Sequence, residues 1–406
     1  MAYTIFISAG EASGEHYGAL LVGALQQRLA AVGQQARFFG MGGERMASAG
    51  LEVVVRSEDM AVMGLTEVLH HLPRIYREYR RLKKAIRERR PDVAVLIDFP
   101  EIHFRLARGL KRLGVPVIFF VSPQLWAWKK KRITLVQDFV DKMLVIFPFE
   151  QPFYRERGVA AEFVGHPLAD LPAPTISRAQ FSHENQLDPF EIWIGLLPGS
   201  RPKEIRDHLP EMLKAARDLI PLPDQSGRFA FLVPLAPTLN ADHRIQVRRM
   251  VDKYGAGLNI RLVDDARSAL FHARASVVAS GTATVEAALI GNPFVVVYRV
   301  SPVTYAIAKR VVKVPHVAMA NLIAGKRVVA ELIQDDFTAA NIIQEIRPLL
   351  PDGGSRQSMM QELASIRGLL STGPADHEQG AIGRVASITL EVLAVSSAAA
   401  EATVHS

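Results

Sequence analysis

Short apolar runs alternate with longer stretches whose apolar residues recur every three or four positions, and the alternation holds along most of the chain. Apolar runs of strand length set between amphipathic helical segments are buried parallel strands, so the pattern predicts an α/β fold built from doubly wound sheets. Strands are expected near 3–8, 36–39, 51–55, 93–97, 116–121, 142–147 and 162–164. A second series follows near 192–197, 229–233, 259–263, 275–279 and 294–298. Between the two, Pro167, Pro172, Pro174 and Pro189 bracket a polar stretch over 168–188 that reads as a linker. The chain therefore divides into residues 1–168 and 169–370, two Rossmann-like domains facing a central cleft. Residues 337–395 read as successive helices, and 396–406, rich in small residues, as a disordered tail.

Composition narrows the class. The 406 residues are enough for two cores and include no cysteine, which excludes disulfides and thiolate metal sites. The chain opens directly on a strand, without a charged leader and apolar stretch, and no run of about 18 apolar residues occurs. Neither export nor a membrane span is expected. Yet 49% of residues are hydrophobic while the sequence pI is about 9.6.

The charge is local. Nine cations between Arg74 and Arg90 face only Glu78 and Glu88, so this segment alone carries the net +7 of the whole chain. Upstream lie Met60, Val62, Met63, Leu65, Val68, Leu69 and Leu72, and the apolar spacing continues helically to residue 86. An apolar stretch feeding a basic helix, with Arg77, Arg80 and Lys84 among its cations, suits docking on anionic lipid headgroups. The same pattern also describes a core-packed helix with a solvated basic face. Nucleic acid is disfavoured, because only Tyr76 and Tyr79 interleave the cations.

Three loops carry candidate chemistry. The first strand runs into Ser8-Ala-Gly-Glu-Ala-Ser-Gly-Glu-His16, a glycine-hinged turn at the start of a helix expected near Glu15. Glu11 and Glu15 would repel a phosphate there, so a hydroxyl-rich ligand such as a sugar fits better. The spacing matches neither a dinucleotide fingerprint nor a P-loop. An ordinary turn with Ser13 as N-cap remains the plain alternative. The second series opens with Leu196-Leu-Pro-Gly-Ser-Arg201, which sets Gly199, Ser200 and Arg201 at the carboxyl end of a strand, where α/β folds bind ligands. Arg201 offers a fixed charged fork for a diphosphate. Ser280-Gly281-Thr282-Ala283-Thr284 again forms a strand, tight turn and helix start, suited to pyrophosphate, with Glu286 one turn on able to accept from a ribose diol.

Asp98 follows the strand Val93-Ala-Val-Leu-Ile97 and is the candidate base; with Pro100 and Glu101 it equally resembles a helix N-cap. Trp126 and Trp128, before Lys129-Lys-Lys-Arg132, form either a lipid- or acceptor-facing edge or part of the core. A lone His166 near the domain junction is more often structural. No D-x-D occurs, which removes one common way of holding a metal on a nucleotide diphosphate, and metal-independent transfer is preferred.

Taken together, Ser8-Ala-Gly-Glu-Ala-Ser-Gly14, Gly40-Met-Gly-Gly43, Met63-Gly-Leu-Thr-Glu-Val68, Ser122-Pro-Gln-Leu-Trp-Ala-Trp128, Leu196-Leu-Pro-Gly-Ser-Arg201, Ser280-Gly-Thr-Ala-Thr284 and Asn321-Leu322 resemble the lipid-A-disaccharide synthases in order and spacing over roughly residues 3–375. The resemblance implies a GT-B fold whose C-terminal domain holds the nucleotide, whose N-terminal domain holds the acceptor, and whose last helix, about 371–395, crosses back. It implies inverting transfer from UDP-2,3-diacylglucosamine to 2,3-diacylglucosamine 1-phosphate (lipid X), giving a β(1→6) disaccharide and UDP with no cofactor. By resemblance Asp98 is the base, Glu15 and Ser13 lie beside the chemistry, Arg201 and Ser280–Thr284 hold the departing diphosphate, and Glu286 and Asn321 contact the nucleotide. Ser13-Gly14-Glu15 departs from the family's usual Ser-Gly-Asp. Acylated, anionic substrates would place the protein at the cytosolic face of the inner membrane. A UDP-sugar 2-epimerase of the same architecture and a non-catalytic lipid- or nucleotide-binding adaptor are the rival readings.

Overall fold

The structure is a computed structural model describing residues 2–60, 65–127, 130–220, 229–311, 314–371 and 380–404. Contacts divide the chain into two compact units, residues 1–170 with 370–406, and residues 171–369.

The first unit is built on seven strands: β1 (Ala2–Ala9), β2 (Gln35–Gly42), β3 (Leu51–Arg56), β4 (Val93–Ile97), β5 (Val117–Phe120), β6 (Lys142–Val145) and β7 (Ala161–Phe163). They lie parallel in the order β3-β2-β1-β4-β5-β6-β7. Ile5, Phe6, Ile7 and all of Val93–Ile97 are inaccessible to solvent, because helices cover both faces of the sheet. The covering helices include α1 (Ala12–Ala31), α2 (Glu44–Ser48), α3 (Leu65–Arg89) and α4 (Pro100–Lys111).

The second unit repeats the plan with β8 (Ile192–Leu197), β9 (Phe229–Pro234), β10 (Ile260–Val263), β11 (Ala275–Ala279), β12 (Phe294–Tyr298) and β13 (Glu331–Ile333), in the parallel order β10-β9-β8-β11-β12-β13. β13, three residues pairing Val296–Tyr298, is too short to leave a periodic signal and was not expected. In each unit the strand order reverses once, between β1 and β4 and between β8 and β11. Such a reversal parts the loops at the carboxyl ends of the two strands and opens a crevice there. Ala9 pairs with Ile97, and Leu197 with Val278. The loops beginning at Gly10 and Asp98, and those beginning near Gly199 and Ser280, therefore leave their sheets at matching heights.

Two sequence expectations are corrected. The stretch 168–188 is not a plain linker: Arg178–Glu184 is a helix capped by Ser177, and Phe181 within it is buried against Trp193. A helix of seven residues between Pro174 and Pro189 is too short for its period to show. The tail is not disordered as a whole, because the last helix runs from Gly380 to Val404. Its first turns lie on the first unit, where Asp170 accepts the Ala381 N–H at 2.6 Å and Arg384 pairs with Glu162 at 2.8 Å. Buried Val385 and Ala386 join the core of α1 and β4.

Candidate functional site

In the first unit the crevice between β1 and β4 is shaped by tight packing across the two loops. α1 begins at Ala12 with Glu11 as its N-cap residue, three residues earlier than expected, and its side chain makes no cap bond. Ser13 is thus inside the first turn and is not the cap. The Glu15 carboxylate accepts the main-chain N–H of Arg45 at 2.9 Å and fills the space beside Gly43. One of its oxygens is therefore already engaged in holding the start of α2.

Asp98 leaves β4 with a left-handed backbone, φ +52°, and Phe99 follows at φ +51°. Left-handed non-glycine residues cost about 1–3 kcal/mol each and persist where surrounding contacts enforce them. Asp98 is not the helix cap. Phe99 holds that position, with Pro100 as the first helical residue. Burial pushes the Asp98 carboxyl up to about 7; the charges of Glu11 and Glu101 add to the rise, while the Phe99 N–H opposes it.

Sequence reading missed His103. On the first turn of α4 and fully buried, its Nε2 lies 2.9 Å from the Ser8 hydroxyl and its Nδ1 contacts the Asp98 carbonyl. A single histidine inside an amphipathic helix gives no warning of this. Burial holds its pKa down to about 4, so the ring is neutral at physiological pH.

The expected membrane edge divides. Met60 is buried in the core with Leu82 and Ile86, so it is no surface contact. Val62, Met63 and Trp128 lie outside the described residues, as do the side chains of Leu65, Val68, Leu69 and Leu72. From residue 75 onward the apolar stripe of α3 packs on the core, and the cations face solvent: Arg77 and Lys84 expose 70% and 76% of their side chains. Exposed Arg80 lies over the Tyr76 ring. Trp126 is held, contrary to a free lipid-facing edge. Its ring packs edge-on to Phe149 and its N–H donates to Glu150 at 3.0 Å. Glu150 is buried, and burial pushes its carboxyl up to about 8. His166, also buried, accepts the Leu168 N–H and is structural, as expected.

In the second unit the β8 loop turns at Gly199, φ +119°, where a β-carbon would collide with Glu204. Glu204 reaches back to accept the N–H groups of Ser200 and Arg201 at 3.1 and 3.3 Å, and its other oxygen lies 3.5 Å from the Arg201 guanidinium. Arg201 keeps half of its side chain exposed. His208, unremarked in the sequence, is buried and ties this loop down, contacting the Pro198 carbonyl at 2.7 Å and accepting from the Arg299 N–H at 3.0 Å.

Across the strand reversal, Ser280 follows β11 and Gly281 precedes the helix Thr282–Ile290, whose first turn has no side-chain cap. Gly281 and Thr282 are exposed and Ala283 half-buried. The Thr284 hydroxyl is buried and donates to the Gly281 carbonyl at 2.7 Å, so it braces the turn and is not a ligand donor. Glu286 faces Arg267, 3.6 Å away; burial raises its pKa and the guanidinium partly offsets that. Asn321 is fully buried with its amide engaged on both sides: its oxygen accepts from Val328 and Val329 at 2.7 and 2.9 Å, and its nitrogen donates to the Val329 carbonyl and to Glu331 at 3.0 and 2.8 Å. These bonds hold the loop at Val328 and Val329. Asn321 also lines a cavity of about 370 Å³ together with His316, Glu331, Asp336 and Asn341.

Two parallel sheets, each with its strand order reversing once, give the plan of a GT-B-type protein. The solved structures agree in fold. The chain superposes on UDP-GlcNAc 2-epimerase from Neisseria meningitidis with a TM-score of 0.59 at 14% identity, covering 97% of this chain and 99% of that one. It superposes on the calicheamicin glycosyltransferase CalG4 at 0.58 and 17%, with the same coverage, and on MurG of Acinetobacter baumannii at 0.53 and 12%, covering 96% and 99%. Sequence goes further. The family model for lipid-A-disaccharide synthetase matches residues 5–378. Lipid-A-disaccharide synthase of Acidobacterium capsulatum is 58% identical over 401 residues, 97% of each chain. Those of Koribacter versatilis and Myxococcus xanthus are 47% and 43% identical, over 96% of this chain and 98% and 97% of theirs. The chain belongs to the lipid-A-disaccharide synthase family and is a glycosyltransferase.

Proposed function

We propose that the protein joins UDP-2,3-diacylglucosamine to 2,3-diacylglucosamine 1-phosphate, forming a β(1→6) disaccharide 1-phosphate and UDP with inversion and without a metal. Asp98 takes the proton of the acceptor 6-hydroxyl as that oxygen attacks C1 of the donor. The bond from C1 to the diphosphate breaks, and its electron pair leaves on UDP. The observation that carries this reading is the Asp98 carboxylate itself, held at the strand reversal of the first sheet with its pKa pushed up to about 7. A general base works best with a pKa close to the operating pH.

On the donor side, the exposed Arg201 and the uncapped helix start at Gly281 and Thr282, flanked by Ser280 and Ala283, offer positive charge and N–H groups to the departing diphosphate. Gly199 and Ser200 shape the loop that presents Arg201, and Glu286, set against Arg267, offers a carboxylate to the ribose. On the acceptor side Ser13 offers a hydroxyl to the sugar, while Glu15, engaged with Arg45, shapes the loop. The basic face of α3 docks the protein on anionic lipid at the cytosolic side of the inner membrane, where both acylated substrates reside. No helix among the described residues is long and apolar enough to cross a membrane.

The test is turnover of purified protein in detergent micelles with EDTA, following UDP and disaccharide together, with Asp98→Asn alongside. Equal amounts of both products, lost in the variant, support the reading. UDP binding without disaccharide would move it to an epimerase or an adaptor.

A further inference from the structure

His103 stands out among the buried titratable groups, because its main-chain N–H and both ring nitrogens are engaged at the first strand reversal. Its main-chain N–H donates to the Phe99 carbonyl at 3.2 Å. The Nδ1 partner, the Asp98 carbonyl, can only accept, so Nδ1 carries the proton. In a neutral ring Nε2 then holds a lone pair, and the Ser8 hydroxyl at 2.9 Å is its donor. Phe99 and Phe119 meet the ring edge-on, with centroids 5.8 and 6.0 Å away. With no exposed surface and both nitrogens engaged, the imidazole has no route to exchange protons with a substrate.

We propose that His103 is a positioning residue that fixes the Asp98 carboxylate for proton abstraction by clamping the Asp98 main chain in its left-handed conformation onto Ser8 of β1. The inference rests on Asp98 being the base. Two consecutive left-handed residues, the second followed by proline, do not persist unaided. Their other restraints among the described residues include the Asp98 N–H, which donates to the Phe120 carbonyl at 2.9 Å, the Phe99 N–H on the Asp98 carboxylate, the His103 N–H on the Phe99 carbonyl and the Phe99 ring on Gly10. Among the described residues only the His103 bond holds the Asp98 carbonyl itself, and releasing it loosens the peptide plane that carries both this carbonyl and the Phe99 N–H bonded to the carboxylate.

Asparagine and glutamine separate the two halves of the clamp, because the amide of Asn overlays Nδ1 and that of Gln overlays Nε2. His103→Asn keeps a donor for the Asp98 carbonyl and loses Ser8, whereas His103→Gln keeps Ser8 and loses Asp98. The expected result is that His103→Gln lowers kcat about 10²-fold with KM for both substrates unchanged, since misplacing a reacting group by about 1 Å costs that much. His103→Asn is expected to keep kcat within about tenfold, having lost one neutral hydrogen bond away from the base. Equal losses in the two variants, a loss confined to KM, or full activity of His103→Gln overturns the proposal. If His103→Gln does not fold, His103→Asn decides alone, and a loss beyond tenfold overturns the clamp. Asp98→Asn run in parallel separates the two levels. Wild-type turnover there removes the base itself, whereas an inactive Asp98→Asn beside an active His103→Gln removes only the clamp.

Discussion

The ring of Phe99 lies directly against Gly10, in the space that a β-carbon at residue 10 would occupy. The contact locks the loop after β1 to the loop after β4 and leaves Asp98 between them. Gly10→Ala must therefore push the ring aside. Overpacking of this kind costs about 1–3 kcal/mol, and here part of that strain falls on the backbone of the base. A lowered melting temperature together with a reduced kcat is expected. Gly109→Ala, inside α4 with nothing within 4 Å of its would-be β-carbon, serves as the control: it should leave kcat unchanged and, if anything, raise the melting temperature, since alanine favours a helix interior over glycine.

The raised pKa of Asp98 gives pH profiles of definite sign. As a base it works deprotonated, so kcat/KM falls about tenfold per unit as pH drops below about 7. Stability runs the other way. The native pKa lies above the unfolded value of 3.8, so the folded state binds the proton more tightly and loses stability as pH rises between those two values. The cost of the buried charge is fully present above about pH 7. Asp98→Asn removes it, and the variant should melt above the wild type at pH 8, with the gap narrowing towards pH 4. A gap independent of pH would contradict the assignment.

Asn321→Ala is expected to act on stability first. It deprives the Val328 and Val329 N–H groups of their partner, while the Glu331 carboxylate keeps the N–H groups of Val317 and Ala318. Leaving buried polar groups unmatched costs about 1–3 kcal/mol each. A denaturant midpoint shifted down, with any activity loss recovered at lower temperature, would agree with a bracing role. An undisturbed midpoint with weakened UDP binding would instead make Asn321 a direct ligand.

Arg77, Arg80 and Lys84 stand on the solvent face of α3, and Arg81 still pairs with Glu78 at 2.6 Å if Arg77 is changed. Replacing the three by Gln should leave folding intact. It should weaken binding to anionic vesicles by about 1 kcal/mol per cation, with a flatter salt dependence. Sedimentation with vesicles of anionic and neutral lipid reads this directly; equal binding by variant and wild type would reduce the basic face to a solvated surface.

Much of the fold was legible because its signals are local. Val93–Ile97 and Phe294–Tyr298 announce themselves as short apolar runs rich in β-branched residues, and Ser8–Gly14 and Ser280–Thr284 as glycine turns where strand period gives way to helix period. Those cues place Gly10, Asp98, Gly199 and Ser280 at strand ends, and the order of the motifs carries the family. They also left genuine ambiguities. The stripe of α3 packs as core from Ile75 to Ile86 although its period equally fits a lipid-facing helix, since period says that one side is apolar and not what covers it.

What the sequence determined by itself is which residues reach the carboxyl ends of the strands and what chemical groups they bring there. What only the tertiary structure decided is how those groups are engaged: Asp98 freed from capping and raised towards neutrality, Asn321 and Thr284 turned inward, Glu204 folded onto the Arg201 loop, Trp126 tied to Glu150, and His103 set under the base. The division has one cause. Backbone periodicity and turn chemistry depend on neighbours within a few residues, whereas hydrogen-bond partners and dielectric surroundings come from elements as far apart in the chain as Ser8 and His103, or Trp126 and Glu150. Their pairing exists only once the sheet has brought the strand ends together.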